Sequence, residues 1–130
     1  MRLIAILFFV SLFTVFTTHA QERKDCDDVK TGEFRIENEY GITIIKRTLD
    51  KQLEIGKRDS SEIIMDVVWL NDCTFQLRNA KLLKGPEFLR GNPTDILTVE
   101  IVGIDGNKLT TKTTANFTDF SRETTMEIIK

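Results

Sequence analysis

Few side chains in this sequence can act as nucleophiles, bases or metal ligands. The 130 residues contain two cysteines, Cys26 and Cys73, and one histidine, His19. We expect His19 to be removed with an export signal, which leaves no imidazole for Ser-His-Asp or Cys-His catalysis or for the usual histidine-containing zinc sites. The phosphate-binding glycine motifs and the calcium-loop pattern do not occur either. The sequence therefore predicts no metal and no cofactor.

The remaining side chains permit only catalysis by carboxylates, and Asp66 is the best candidate for such a role. Asp66 lies in the apolar stretch Ile63–Val68, where burial would raise the pKa of its side chain. The alternative, which we favour, is that Asp66 faces water or pairs with a lysine or arginine on a neighbouring strand. We therefore assign no catalytic residue and expect a protein that is not an enzyme.

The first 20 residues have the order of a secretory signal peptide. Arg2 precedes an apolar run over 3–16, and small residues occupy positions 18 and 20. The run is shorter than the roughly 20 apolar residues that a membrane-spanning helix needs, so cleavage is favoured over anchoring. We expect a signal peptide over 1–20, a single domain over 21–130, export to the periplasm or the extracellular space, and no membrane insertion after cleavage.

The charge balance argues against polyanionic partners. The whole chain has a formal net charge of −2, and removal of residues 1–20 takes Arg2 but no acid, which gives −3. A mildly acidic chain has no electrostatic reason to bind nucleic acid or an anionic membrane. The oligomeric state is left open.

Export also indicates what the cysteines do. Outside the cytoplasm an even number of cysteines usually means a disulfide, and only the pairing of Cys26 with Cys73 exists. Such a bridge would stabilise the fold by about 4 kcal/mol on the chain-entropy model. Two separate buried thiols are the alternative. Asn71 and Asp72, just before the second cysteine, are expected to form a turn, because Asx side chains bond to turn backbones.

The segments between the turns alternate between apolar and polar residues, often β-branched, which favours strands over helices. The stretch 62–70 is apolar on both faces. The stretch 79–94 contains both prolines and indicates a long connection, either a lid or a decorated crossover. We predict about eight strands, near 32–38, 42–48, 51–56, 62–70, 73–79, 95–103, 107–115 and 123–129.

Short consecutive strands with close turns indicate an antiparallel meander. An open sheet would expose two strand edges, and closure of the sheet removes them. Eight strands is also the number at which a barrel either fills with side chains or holds one small ligand. The predicted fold is therefore all-β, an up-and-down barrel or half-open barrel, with a two-sheet sandwich as the alternative.

Two motifs around the cysteines suggest a family. The segment 26–34 reads C-x3-K-T-G-x-F, the segment 69–75 reads W-x-N-D-C-x-F, and Gln52-Leu53-Glu54-Ile55 fits the same template. Together they resemble the small secreted lipocalin-like proteins of Bacteroidota. The resemblance implies an exported calycin-type barrel, no established ligand and no catalytic residues. The chain differs from the group at Val29, where an aromatic is expected, and in its extension past residue 116.

Proteins of this group often bear a DNA topoisomerase label, which we reject for this chain. A net-acidic exported chain of this length has no room for a DNA gate. Its single tyrosine, Tyr40, lies beside Gly41 in a predicted turn. The tyrosine is therefore not placed for DNA cleavage.

Our first hypothesis is a pocket for a small apolar or amphipathic ligand inside the barrel, gated by Leu83 and Phe88. The alternative is an envelope-associated structural or interaction module with a filled core, suggested by the double apolar face of 62–70. The threonines of 110–114 are expected on a solvated strand. The predicted pocket wall consists of Phe34, Ile44, Met65, Val67, Trp69, Phe75, Leu77 and Val99.

Overall fold

The computed structural model describes residues 25–130, which form a closed barrel of eight antiparallel strands. Each strand pairs with the next along the chain, and the last pairs with the first. The all-β up-and-down barrel is thus confirmed. The strands are β1 (Gly32–Asn38), β2 (Gly41–Arg47), β3 (Lys51–Gly56), β4 (Ser61–Asn71), β5 (Thr74–Lys84), β6 (Leu97–Asp105), β7 (Lys108–Ala115) and β8 (Ser121–Ile128).

Two features of the predicted organisation fall at the ends of the chain. The predicted signal peptide, residues 1–20, lies outside the described residues. The extension past residue 116 supplies β8, which pairs with β7 along its length and closes the barrel on β1. No helix within 25–130 is long and apolar enough to span a membrane.

Strand β5 is longer than predicted, and the following connection is shorter. The sequence indicated a strand over 73–79, whereas β5 continues to Lys84 and leaves 85–96 as the loop, with a 3-10 turn at Glu87–Leu89. The difference arises at Asn79, which has φ = +53° at an irregularity in the pairing of β4 with β5. A bulge adds an unpaired residue and interrupts the alternation of apolar and polar residues. The alternation therefore did not predict that the strand continues past residue 79.

One end of the barrel is the closed end. The chain enters there through a 3-10 turn over Cys26–Val29, and the same end contains the connections 48–50, 72–73 and 106–107. The disulfide between Cys26 and Cys73, with an S–S distance of 2.04 Å, ties this turn to the β4–β5 connection. This confirms the predicted bridge. Val29, in the same turn, is 1% exposed and packs into the end of the core.

Side chains around the β4–β5 turn hold the entering chain in place. The Asn71 Oδ1 atom accepts a hydrogen bond from the Cys73 backbone N–H at 3.0 Å, as expected of an Asx turn. Lys30 Nζ lies 3.1 Å from Asp27 and 3.5 Å from Asp72, and 4.9 Å from the centre of the Trp69 ring. The predicted turn role is confirmed for Asn71, whereas the Asp72 side chain contacts Lys30 and not the turn backbone.

At the other end, the open end, the connections 39–40, 57–60, 85–96 and 116–120 meet. Here the wall is less completely hydrogen-bonded. Strands β1 and β8 pair through two residue pairs only, and β5 and β6 through four, all in the part of β1 and β5 nearer the closed end. The sheet is therefore continuous at the closed end and separates at the open end between β1 and β8 and between β5 and β6.

Candidate ligand-binding cavity

A cavity of about 350 Å³ occupies the part of the barrel interior towards the open end. This volume lies within the range of small-molecule sites, roughly 300–1,000 Å³. The cavity is bounded by inward-facing side chains of β1, β2, β3, β5, β6, β7 and β8 and by the β7–β8 loop. Its lining consists of Ile36, Ile45, Arg47, Gln52, Glu54, Phe75, Leu77, Leu97, Val99, Thr111, Thr113, Phe117, Thr118, Phe120, Arg122, Thr124 and Met126.

Arg47 marks the boundary between the cavity and the packed closed end. Its guanidinium carbon lies 4.6 Å from the ring centre of Phe34 and 4.7 Å from that of Phe75. The Nη2 and Nε atoms donate to the carbonyl oxygens of Val29 at 2.8 Å and Lys30 at 3.0 Å. Burial lowers the pKa of Arg47 to about 10, partly offset by the charge of Glu54, so Arg47 stays charged at neutral pH.

A hydrogen-bonded relay runs from Arg47 along β3. The Arg47 Nη1 atom donates to Gln52 Oε1 at 3.1 Å, and Gln52 Nε2 donates to Glu54 Oε1 at 3.1 Å. Desolvation raises the pKa of Glu54, opposed by the hydrogen bond from Gln52 and the charge of Arg47. In this relay each nitrogen of the Arg47 guanidinium and both polar side-chain atoms of Gln52 have a hydrogen-bond partner. The second carboxylate oxygen of Glu54 has no protein partner within 25–130 and can bond to a ligand or to water.

A polar wall lies on β7 and β8. Thr111 pairs with Thr124 across the two strands, and Thr113 pairs with Arg122, and all four line the cavity. The expectation of a solvated threonine strand is therefore wrong for two positions, because Thr111 is 3% exposed and Thr113 half-buried. Threonine suits either face of a strand, so its type alone could not show which threonines point inward.

Two aromatic residues of the β7–β8 loop form part of the mouth. Phe117 and Phe120 line the cavity and are 56% and 40% exposed. Asn116, which begins this loop, accepts from the Ile96 backbone N–H at 2.8 Å and donates to the Thr94 carbonyl oxygen at 3.0 Å. These bonds join the β5–β6 and β7–β8 loops. Sequence reasoning missed this mouth, for which the available signal is a phenylalanine pair in a polar loop.

The structure brings three of the predicted pocket residues to the cavity wall: Phe75, Leu77 and Val99. Three others, Phe34, Met65 and Val67, are buried in the core and are not part of the lining. The prediction therefore identified the inward face of β5 correctly but placed the cavity too close to the packed core.

Trp69 and the predicted gate residues lie away from the cavity. Trp69 belongs to the closed end, where its indole N–H donates to the Leu49 carbonyl oxygen at 3.2 Å and its ring lies 4.7 Å from that of Phe75. Phe88 is 82% exposed, and neither it nor Leu83 lines the cavity. The aromatic residues at the mouth are instead Phe117 and Phe120.

The register of β2 corrects one further expectation. Ile45 is 4% exposed and lines the cavity, whereas Ile44 alternates to the outer face, opposite Arg35 and Ile55. Two adjacent isoleucines carry no information about which one is inside. The β1–β2 hairpin decides this by pairing Phe34 with Ile45.

Asp66 lies on the outer surface and is held by two side chains. Lys51, on the neighbouring strand β3, donates to Asp66 Oδ1, and Asn79 Nδ2 donates to Oδ2 at 2.8 Å. The hydrogen bond from Lys51 is the main cause of a lowered pKa of Asp66. The predicted pairing with a neighbouring basic residue is confirmed, and the alternative of a raised pKa is wrong.

The described chain is thus an all-β barrel with one packed end and one cavity that opens between loops. Among residues 25–130 no group of three or more His, Cys, Asp and Glu side chains is placed to hold a metal ion. Comparisons with protein-family models, curated proteins and solved structures found no match to this chain. The functional argument therefore depends on the geometry of the cavity.

Proposed function

We propose that this protein is an exported, non-enzymatic binding protein that holds a small amphipathic ligand in the barrel cavity. The observation that carries the proposal is the composition of the cavity wall. Apolar side chains predominate, and a few polar groups occupy defined positions on β3, β7 and β8. Binding sites for small molecules combine these two features, because apolar contact provides affinity and the polar groups fix orientation.

The state of the polar groups supports a binding role. Arg47 and Gln52 are bonded to each other, and Arg47 is also bonded to the backbone of the entering chain, so a ligand does not have to satisfy them. Glu54, the inward threonines and Arg122 keep polar atoms free towards the cavity or its mouth. An apolar body can thus lie against Arg47 without leaving that charge unpaired, which would be costly.

The disulfide and the resemblance of the cysteine motifs to secreted lipocalin-like proteins support export. A disulfide persists in oxidising compartments and is rare in the cytosol. The bridge between Cys26 and Cys73 is compatible with a periplasmic or extracellular protein. Detection of the processed chain outside the cytoplasm would test the localisation directly.

A matched pair of substitutions on β7 tests ligand binding. Thr113 faces the cavity, and Thr114, the next residue, is exposed on the outer surface. In Thr113→Phe the added ring fills the cavity, whereas in Thr114→Phe the same ring lies outside. We expect the first variant to weaken binding of the fluorescent probe 1-anilinonaphthalene-8-sulfonate by about tenfold or more, the loss of roughly 1.4 kcal/mol, and the second to bind like the wild type.

Circular dichroism and thermal melting would establish that both variants fold. Equal probe binding by the wild type and the folded Thr113→Phe protein would contradict a ligand site in the barrel. Loss of binding in both variants would place the probe on the outer surface. Either result would remove the basis of the proposed function.

One observation favours a second candidate, an envelope-associated interaction module. Val68 and Leu70 lie on the outer face of β4 and are 39% and 53% exposed, and Leu49 near the same end is 61% exposed. Exposed apolar side chains that adjoin one another mark interaction surfaces. Sedimentation over a concentration series, compared with the Val68→Lys/Leu70→Lys variant, would test this role. A monomer at every concentration that captures no envelope protein would contradict it.

A further inference from the structure

Three charged side chains line the cavity, and they differ in how far the protein already uses them. Arg47 makes three hydrogen bonds and is enclosed by two phenyl rings. Glu54 accepts one hydrogen bond, from Gln52. Arg122 makes no side-chain hydrogen bond and no ion pair with any residue of 25–130 that the structure describes. Arg122 is therefore the cation that remains available to a ligand.

The neighbours of Arg122 on the cavity wall are hydroxyl groups. Thr113 lies directly opposite it on β7, and Thr124, two positions along β8, faces the same way. Thr111 lies opposite Thr124. Directly opposed residues of antiparallel strands have Cβ atoms about 5 Å apart, so one guanidinium and three hydroxyls form a compact polar surface. We call these four residues the β7–β8 polar patch. None of the three hydroxyls has a hydrogen-bond partner among the described side chains.

Strand β8 also sets a direction. Arg122 is near the open-end start of the strand and is exposed, Thr124 is half-buried, and Met126 is 6% exposed in the core. Polarity thus falls from the mouth inward along one strand. Leu77 and Val99 continue the apolar lining on β5 and β6. A ligand with one polar end matches this gradient when that end is at the mouth.

The sign of the charge follows from the groups that face the cavity. Arg47 and Arg122 supply two positive charges, and Glu54 supplies one negative charge. A guanidinium fork with hydroxyl donors beside it suits an anionic oxygen group, since charge-assisted hydrogen bonds are stronger than neutral ones. A ligand ammonium group would instead face Arg122.

We propose that the ligand is an anionic amphiphile, with its carboxylate or equivalent oxyanion bound by the β7–β8 polar patch at the mouth and its apolar chain directed inward towards Met126. This inference rests on the proposed function, because it assigns the ligand class of the same cavity. It commits Arg122 to binding the head group. It also assigns the polar end of the ligand to the open end of the barrel.

The test compares three probes of one chain length on the whole processed protein: decanoate, decanol and decyltrimethylammonium. Isothermal titration calorimetry at neutral pH measures their affinities below the concentrations at which they aggregate. We expect decanoate to bind most tightly and decyltrimethylammonium least. In Arg122→Gln, decanoate should lose about tenfold in affinity, since an ionic hydrogen bond contributes that much or more, and decanol should be unchanged.

Arg58→Gln is the matched control. Arg58 lies in the β3–β4 loop at the same end of the barrel but is not part of the cavity lining, so this substitution makes the same change in net charge. It should leave decanoate binding unaltered. Equal loss in both variants would show that general charge, and not the polar patch, attracts the anion, and would overturn the inference.

The outcomes separate this inference from the proposed function. If decanol and decanoate bind equally and Arg122→Gln changes neither, or if the cationic probe binds best, the ligand class is wrong while a cavity that binds ligands stands. If no probe binds and the wild type also fails to bind the fluorescent anilinonaphthalene probe, both the function and the ligand class fail. Thermal melting of both variants confirms that they are folded.

Discussion

The two ends of this barrel are built from the same eight strands but differ in packing, since one is filled and the other contains a cavity. At the closed end the disulfide, the entering 3-10 turn and Arg47 join the chain start to the sheet, and the buried polar groups there are bonded. At the open end the pairings of β1 with β8 and of β5 with β6 stop short, phenylalanines are exposed, and a cavity remains. The packed end and the end that holds the cavity are thus distinct parts of one sheet.

This difference predicts where the protein tolerates change. Stability should depend on residues of the closed end, and binding on residues of the open end. Substitutions at each end test this division of roles. The expected change in the free energy of unfolding is largest for the disulfide and smallest for the carboxyl group of Glu54.

Removal of the disulfide should have the largest effect. The Cys26→Ser/Cys73→Ser variant opens a loop of 47 residues in sequence separation, so its free energy of unfolding should fall by about 4 kcal/mol. Urea denaturation of the variant and of the reduced wild type measures the loss, and the two should agree. A loss of under ~1 kcal/mol would mean that the closed end does not need its covalent link.

Truncation of one leucine at each end compares the two regions directly. Leu109 is 0% exposed in the closed-end core, and Leu97 is half-buried on the cavity wall. Leu109→Ala should lower the free energy of unfolding by about 3 kcal/mol because it creates a void in packed surroundings. Leu97→Ala should cost about 1 kcal/mol, since it only enlarges an existing space. Equal losses of unfolding free energy in the two variants, measured by denaturant titration, would contradict the division of roles between the two ends.

Replacement of Arg47 by methionine tests the boundary between the regions. The change keeps apolar contact with Phe34 and Phe75 but leaves the carbonyl oxygens of Val29 and Lys30 without their donors. We expect a loss of about 2 kcal/mol in the free energy of unfolding. Arg78→Met is the control, because Arg78 lies on the outer face of β5 and its side chain bonds, among residues 25–130, only to Gln76 of that strand. We expect this substitution to lower the free energy of unfolding by under ~0.5 kcal/mol.

The pH dependence of Glu54 should give the smallest effect. Its pKa in the folded protein is raised from the ordinary value of 4.5 by desolvation, so the folded state binds this proton more tightly than the unfolded state. The wild type therefore loses stability as the pH rises from about 4.5 through the folded pKa. Glu54→Gln lacks this loss.

The stability of this variant should consequently equal that of the wild type below the ordinary carboxyl pKa and exceed it at neutral pH. Denaturation at a series of pH values measures the difference. A variant that is less stable than the wild type at neutral pH would show that the ionised carboxylate stabilises the fold, which is the opposite of the expected direction.

Much of the fold could be predicted from local pattern. Alternation located all eight strands, and the β1 bounds 32–38 agree with the structure. The disulfide followed from an even cysteine count and an expected exported location. The extent of β5 could not be predicted, because the bulge at Asn79 interrupts the alternation and is stabilised only by pairing with β4.

The candidate site was predicted less completely. Phe75, Leu77 and Val99 were identified because large apolar residues at alternate positions indicate an interior face. The polar wall escaped prediction, since Thr113 and Arg122 look like surface residues when each strand is considered alone. Their inward direction depends on β8 pairing with β7 in one register out of several.

The sequence by itself determined a chain of alternating strands, a single possible disulfide and a shortage of catalytic side chains, because these depend on residue type and local spacing. Only the tertiary structure decided that the barrel is packed at one end and hollow at the other. That outcome depends on long-range pairings: Arg47 with the entering chain, and β8 with both β7 and β1. Each of these joins residues that no local pattern connects.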